Sequence, residues 1–310
     1  MSSPSPASLP VLAAVALDGS GAAVDVAAHV AVLLDAPLHL VHVLDVPAVD
    51  AYAGSYGVVL EEVDAILHRA AERARQVIGD RVEVKVERVD SGGLGPQLTA
   101  RADHSRLAVL QHRHLSRAHR LVTGSTVAGL AAHTKAPVLS VPEGWQPDGH
   151  VPVVAVGVQD VDEAGHLLRL ALDEADLRDA RLVVTHAWWQ PRGYDQADLD
   201  EAFRDEHLAA VRSAFESVLA PLRRKYPDTV VTLDLRHGPP AETLVEVAKD
   251  ASLLVLGRRH HLMPLGSHLG PTVRAVLHHS TCPVLLAPQV PVAEHHRTPT
   301  RARDFAGVMY

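Results

Sequence analysis

A glycine and two hydroxyl residues, Gly124, Ser125 and Thr126, stand where a helical pattern begins. The first N–H groups of a helix have no partner inside the helix, so they bind anions such as phosphate readily. Ser and Thr are also the favoured N-cap residues of helices that bind nothing. These three residues predict either a phosphate-binding site or an ordinary capped helix, and their types alone leave both readings open.

The stretch that holds these residues occurs twice in the chain of 310 residues. Residues 123–142 and 269–288 align at one constant offset, which pairs Gly124 with Gly270. A repeat of this length predicts two domains rather than one. We expect the boundaries at 1–145 for the first domain, 150–290 for the second, and 291–310 for a basic C-terminal tail.

Apolar runs of strand length alternate with helical patterns in both copies, and the runs without polar residues are typical of strands buried on both faces. The predicted strands are 11–17, 38–45, 82–89, 107–110 and 138–141, then 153–158, 182–186, 230–235, 253–256 and 284–287. This alternation predicts an α/β fold: two Rossmann-like domains, each a five-stranded, mainly parallel sheet with helices on both faces. Ligands of such sheets bind at the carboxyl ends of the strands, where the strand order reverses.

The two copies are expected to pack against each other. Strand five of each copy is short and apolar, and an unpaired apolar edge needs cover. We therefore expect the two fifth strands to meet in an intramolecular pseudo-dimer, and the residues leave homodimerisation of the whole chain open. The first strands align less tightly, 13–20 against 154–161, which places Gln159 opposite Asp18 with Asp160 beside it.

Several sequence marks recur in the order that one known family shows. They include "VALDGS" after strand one, "HVLD" at strand two, "GGLGPQL" and "HGPPAETL" after strand three, and a closing Pro-Val-Leu strand. With these marks the sequence resembles the universal stress protein family in tandem form, over 11–142 and 151–288. The resemblance implies the adenine nucleotide alpha hydrolase-like form of the fold, with ATP or another adenine nucleotide as ligand and Mg²⁺ only as its companion.

In nucleotide-binding members of that family, the glycines of Gly-x2-Gly-x9-Gly-Ser/Thr wrap the phosphates and ribose. The acid after strand one and the backbone after strand two read adenine. The site residues that the resemblance implies in the first copy are Asp18, Val43, His114, Gly124, Ser125 and Thr126. Those that it implies in the second copy are Ala187, Gly257, His260, Gly270 and Thr272.

Both copies depart from the family motif. In the first copy Gln111 and His114 replace the two early glycines, so side chains enter the space of a ligand. In the second copy Gly257 survives, but Pro271 follows Gly270 and lacks the N–H that a phosphate would use. His114 and His260 would partly compensate by donating to phosphate when protonated.

Other residues favour ordinary structural roles. Adjacent helical residues point about 100° apart, so the pair His278–His279 and similar pairs among the 21 histidines are expected to diverge on the surface without binding metal. His42 and His186 take equivalent places in strand two and are expected to be hydrogen-bonded core residues. Cys282, the single cysteine, is expected to act as a small apolar residue.

Composition limits the partners and the compartment. A formal net charge of −8 without a dense basic cluster argues against nucleic-acid binding. No apolar run approaches the length of a membrane span, and the apolar run at 9–17 lacks the positive charge that precedes a secretory signal. A single thiol cannot form an intrachain disulfide. We therefore expect a cytoplasmic protein that binds neither membranes nor nucleic acid.

Three functions are consistent with these residues. The leading hypothesis is a stress-response protein that binds an adenine nucleotide, or protein partners, without turning over a substrate. The second is an interaction module that binds no nucleotide, which the lost glycines favour. The third is a slow adenine-nucleotide hydrolase. Asp18 is a lone carboxylate without a positioned nucleophile, so the residues give this third hypothesis no catalytic pair.

Overall fold

The computed structural model describes residues 9–44, 56–112, 126–146, 152–162, 164–188, 201–258 and 269–288. We call residues 9–146 the first half and residues 152–288 the second half. The first half contains, in order, β1 (Val11–Ala14), α1 (Gly21–Leu33), β2 (Leu38–Val43), α2 (Tyr56–Ile78), β3 (Val84–Val89), α3 (Leu94–Ala102), β4 (Leu107–His112), α4 (Thr126–His133) and β5 (Val138–Pro142). The second half contains β6 (Val153–Gly157), α5 (Gly165–Leu177), β7 (Arg181–Trp188), α6 (Glu201–Lys225), β8 (Val231–His237), α7 (Pro240–Ala248), β9 (Leu253–Leu256), α8 (Pro271–His279) and β10 (Val284–Leu286).

The described strands form one sheet in the order β3-β2-β1-β4-β5-β10-β9-β6-β7-β8. Within each half the strands pair in parallel, and the order of the second half mirrors that of the first. The halves join where β5 and β10 pair antiparallel, with Leu139 opposite Leu285. The predicted fold class and the predicted meeting of the fifth strands are confirmed. The two five-stranded sheets are continuous, forming a single ten-stranded sheet.

Helices cover both faces of this sheet. One buried cluster joins α1, α2, α5 and α6 to the strands, through residues such as Val24, Leu67, Leu168 and Phe215. The other joins α3, α4, α7 and α8 to the opposite face. Because both faces are covered, the central strands are apolar along their whole length, as β9 (Leu253–Leu256) shows with all four residues buried. The predicted domain boundaries themselves stay a prediction.

The alignment of the two first strands needs correction. The Val15 N–H donates to the Val41 carbonyl at 2.8 Å, and the Val158 N–H donates to the Thr185 carbonyl at 2.9 Å. Val15 and Val158 are therefore equivalent, which shifts the sequence alignment by two residues. The prediction was wrong because runs of Val and Ala carry no side chain that fixes their register.

The turn predicted at 91–96 is shorter than expected. Gly92 and Gly93 have positive φ angles of 99° and 75°, and α3 begins directly after them at Leu94. Among the described residues no helix is both long and apolar enough to cross a membrane.

Candidate functional site

The C-terminal ends of β1 and β4 lie side by side at the point where the strand order of the first half reverses. The chain leaves β1 for α1 on one face of the sheet and leaves β4 toward α4 on the other. The two helices cover opposite faces, and the strand ends between them are where sheets of this type bind ligands; we call this place the crevice. The ends of β6 and β9 form the equivalent place in the second half.

Asp18 is held at the end of β1 by a tight turn. Gly19 and Ser20 both have positive φ, 84° and 47°, and the Ser20 N–H donates to Asp18 Oδ1 at 3.0 Å. The buried Ser20 hydroxyl in turn accepts the Ala16 N–H at 3.0 Å. The turn orients an exposed carboxylate at the rim of the sheet, as the sequence predicted for the adenine side of the site.

Gln111 reaches across this rim from the end of β4. Its side-chain Nε2 donates to Asp18 Oδ2 at 3.2 Å. Its Oε1 is buried and accepts no hydrogen bond from the described part of the chain. The residue at the place of the first motif glycine therefore lies across the rim and binds the Asp18 carboxylate.

Strand β2 presents backbone groups beside Asp18. The carbonyl of Val41 faces β1, and the Leu44 N–H donates to Val89 on the other side. Because successive residues of a strand direct their peptide groups to opposite neighbours, the peptide groups of Val43 point past the end of β1 toward the crevice. By the same alternation Ala187 takes this place in the second half.

His42 and His186 stabilise the same corner in the two halves. His42 Nδ1 donates to the Val15 carbonyl at 2.7 Å, and His186 Nδ1 donates to the Val158 carbonyl at 3.0 Å. Burial lowers the pKa of His42, so its ring is neutral at neutral pH. The predicted hydrogen bonds are confirmed for both histidines, and the predicted core position is confirmed for His42, whereas His186 is half-buried.

The second half also has an acid at its rim, and it is not the position that the sequence alignment indicated. Asp160 Oδ1 accepts the Asp162 N–H at 3.0 Å, which repeats the hydrogen bond between Asp18 and Ser20. The backbone differs, because Val161 and Asp162 lack the positive φ angles of Gly19 and Ser20. The loop from Val158 to Asp160 is one residue shorter than the loop from Val15 to Asp18. The assignment of Gln159 to the place of Asp18 is therefore wrong, and Asp160 supplies the carboxylate.

Gly257 brings no side chain to the second crevice, whereas Gln111 brings its amide to the first. A Cβ at Gly257 would meet Leu167 Cδ2 at 3.6 Å, which is an ordinary contact, so the protein's own packing does not require glycine here. On the far side of this edge the Trp188 ring packs against His237, with ring centroids 4.3 Å apart. The second half therefore has a carboxylate at Asp160 and a glycine in place of Gln111.

The helix starts that would bind phosphate differ between the halves. In the second half Gly270 is the extended N-cap of α8, without a side-chain cap, and Pro271 and Thr272 begin the helix. In the first half α4 begins at the exposed Thr126. His114, Gly124, Ser125 and His260 lie outside the described residues, and their phosphate contacts stay a prediction.

Matches to known proteins decide the family. A model described as the universal stress protein family matches residues 9–142 and again residues 152–288. The chain belongs to the universal stress protein family. Both matched ranges contain the rim residues described above, so this tandem universal stress protein carries the family's domain twice.

Individual relatives agree with this assignment. Universal stress protein MT2052 of Mycobacterium tuberculosis is 31% identical over 235 residues, which cover 71% of this chain and 68% of the relative. A universal stress protein of Mycolicibacterium smegmatis is 29% identical and covers 86% of this chain and 92% of its own. The crystal structure of a universal stress protein from Archaeoglobus fulgidus DSM 4304 superposes with a TM-score of 0.60 at 14% identity, covering 90% of this chain and 96% of that one.

Other reactive side chains of this universal stress protein lie away from the rim. The described residues contain no cluster of three or more His, Cys, Asp or Glu side chains that could hold a metal ion. The rings of His278 and His279 do not diverge as predicted, because their centroids lie 4.3 Å apart at the end of α8. Cys282 is buried, and burial raises the pKa of its thiol to about 11.

Proposed function

We propose that this universal stress protein binds an adenine nucleotide at the rim of its sheet and acts by binding rather than by turnover. One observation carries the proposal: each half holds a carboxylate, Asp18 or Asp160, shortly after its first strand, and its Oδ1 accepts the backbone N–H two residues further on. A carboxylate anchored in this way in both halves, among different neighbouring residues, is what a shared ligand contact would require.

The chemistry of the rim suits adenine. The exocyclic amino group of adenine is a donor and would bind the Asp18 or Asp160 carboxylate. The peptide groups at Val43 or Ala187 would meet the ring nitrogen beside it. Guanine carries an acceptor oxygen where adenine carries the amino group, so the carboxylate would repel it. The rim therefore favours ATP over GTP.

The phosphates would lie at the starts of α4 and α8, near Thr126 and Thr272. Both helix ends supply a favourable dipole and backbone N–H groups, although α8 has one N–H fewer because it begins with Pro271. Mg²⁺ would arrive with the nucleotide. The two halves should differ in affinity, because Gln111 brings its amide to the first crevice and Gly257 brings no side chain to the second. The hydrogen bond of Gln111 to Asp18 favours a second candidate for the first half alone, an interaction module without nucleotide.

Titration of the full-length protein with ATP and with GTP tests the proposal. Asp160→Asn should weaken ATP binding about tenfold and reduce the preference for ATP, because a charge-assisted hydrogen bond to the amino group is lost. Asp162→Asn is the matched control, since Asp162 contributes its backbone N–H to the turn and keeps it in the variant. Equal affinity of the wild type for ATP and GTP, or unchanged ATP binding by Asp160→Asn and Asp18→Asn together, would contradict the proposal.

A further inference from the structure

Arg258 joins the two halves through a buried guanidinium. It follows Gly257 in the loop after β9, and only 8% of the residue is exposed. Its Nε donates to the Ala287 carbonyl of its own half at 2.5 Å. Its two terminal nitrogens donate to three carbonyls of the first half, those of Ala131, Thr134 and Ala136. We call these four hydrogen bonds the Arg258 bridge.

The three acceptors of the first half belong to the end of α4 and to the turn that leads into β5. The last carbonyls of a helix lack partners inside the helix and carry the negative end of its dipole. A cation that donates to them satisfies buried acceptors and interacts favourably with the dipole. Burial lowers the pKa of Arg258 to about 10, which still leaves the guanidinium charged at neutral pH.

The equivalent position of the first half carries a different residue. That residue is His112, whose Nδ1 lies 2.9 Å from Ser140 Oγ within its own half. One of the equivalent acceptors also has a different partner. In the second half the Ser280 hydroxyl donates to the Cys282 carbonyl at 2.7 Å, so this carbonyl is satisfied within its own half.

In the first half the matching hydroxyl, that of Thr134, donates to Asp103 Oδ1 at 2.8 Å instead. The Ala136 carbonyl, which matches that of Cys282, accepts from Arg258 Nη2 at 2.6 Å. The turn after α4 therefore takes a donor from the second half, whereas the matching carbonyl after α8 takes its donor from its own half.

We propose that Arg258 is a positioning residue for the nucleotide site of the first half: it holds the end of α4 from the second half and so fixes the start of α4 at the rim. The helix has eight residues and a length of about 12 Å, so a constraint at one end orients the other. An anion at the start and a cation at the end stabilise the same helix dipole. The ligand part of this inference rests on the proposed function, and the positioning part does not.

Hydrogen exchange of the full-length, nucleotide-free protein tests the positioning part. Arg258→Met keeps the volume and removes the donors, and it should raise exchange of the α4 amides about tenfold relative to those of β1. Arg258→Lys keeps the charge with fewer donors and should restore part of the protection. Arg81→Met is the matched control, because Arg81 donates to the carbonyls of Val77 and Ile78 at the end of α2 within one half.

Titration of the same variants with ATP tests the ligand part. We expect Arg258→Met to lose the protection of α4 and Arg81→Met to keep it. The affinity of the first-half site for ATP should then fall about tenfold in Arg258→Met and stay unchanged in Arg81→Met. Exchange that is unchanged in α4, or that rises equally in α4 and β1, overturns the inference. Unchanged ATP affinity at a functional first-half site also overturns it. If the wild type binds no nucleotide, the proposed function fails, and the exchange result alone decides whether the bridge positions α4.

Discussion

Gln111 shows how one side chain changes an inherited site. The family motif has glycine at this position, where the backbone can approach a ligand closely. Here the amide donates to Asp18 at 3.2 Å, while its buried oxygen accepts nothing from the described residues. The side chain blocks the crevice and takes one oxygen of the acid, yet it leaves a buried acceptor that a ligand donor would satisfy.

Gln111→Gly should therefore strengthen adenine-nucleotide binding in the first half. The substitution removes the amide from the crevice and frees the Asp18 carboxylate, and we expect an affinity gain of about tenfold for ATP. The gain should appear in a calorimetric titration of the full-length variant and should vanish when Asp18→Asn is added. If the gain in ATP affinity persisted in the variant that combines Gln111→Gly with Asp18→Asn, Gln111 would not act by occupying the Asp18 carboxylate.

His42 makes stability depend on pH. Burial lowers the pKa of His42 below its usual value of 6.5, so the unfolded chain takes up a proton at a higher pH than the folded chain. The neutral His42 ring therefore contributes its full share of the free energy of unfolding above about pH 6.5, the pKa of histidine in the unfolded chain. That contribution is lost as the pH falls from there through the lower pKa of His42 in the folded chain. Urea unfolding at several pH values should show the free energy of unfolding decreasing over this interval.

A non-titrating replacement separates His42 from other groups. His42→Asn keeps a donor for the Val15 carbonyl at the place of Nδ1 and cannot be protonated, so its free energy of unfolding should fall less steeply with decreasing pH. His39, whose pKa burial also lowers, should maintain part of the slope. Parallel pH profiles for the wild type and His42→Asn would show that His42 does not contribute.

The sequence identified some rim residues and misplaced another. Asp18 and Val43 were recognisable because "VALDGS" and "HVLD" keep their spacing to strands with distinctive polar residues. Gln159 was placed opposite Asp18 because the run at 153–158 is almost uniform, so that a slip of two residues leaves the apolar pattern intact. The strand hydrogen bonds of Val15 and Val158 correct this register. The loop to Asp160 is also one residue shorter than the loop to Asp18, and no residue type marks that difference in the sequence.

Among the elements, β5 and β10 have the largest effect on assembly. Their antiparallel pairing places Leu139 opposite Leu285, both almost fully buried, and it joins two parallel sheets that would otherwise each expose an edge. The pattern of the sequence was sufficient to predict this meeting, since a short apolar fifth strand has no other cover.

A fragment ending at residue 149 should expose the β5 edge. We expect it to dimerise or aggregate, because the edge and the buried side of Leu139 lose their cover. Light scattering after size exclusion, with the full-length protein as reference, measures the outcome. A fragment that stays monomeric at high concentration would show that β10 is not needed to cover β5.

The contacts that tie α4 to the second half could not be predicted from the sequence. Arg258 and its three acceptors in the first half are separated by more than a hundred positions. Carbonyl acceptors leave no mark in a sequence, because every residue has one. The helix itself was predictable from its periodic apolar residues. The hydrogen bonds between the end of α4 and Arg258 appear only when the chain is folded.

As a whole the molecule is a pseudo-symmetric pair whose halves have diverged. The strand order is mirrored about β5 and β10, so the two halves share one fold. Residues at equivalent positions differ, because the second half has Gly257 where the first has Gln111, and Arg258 where the first has His112. The second half has a glycine, Gly257, at its rim. The first half has Gln111 there, and the end of its helix α4 is held by Arg258 of the second half. Duplication in one chain allows such specialisation, because each copy can change without changing the other.

Isothermal titration of the full-length protein with ATP is the most direct test of the proposed function. The account predicts saturable binding, tighter in the second half than in the first, that weakens on combining Asp18→Asn with Asp160→Asn. A titration without saturable binding by the folded wild-type protein, or one that the two substitutions leave unchanged, would contradict it.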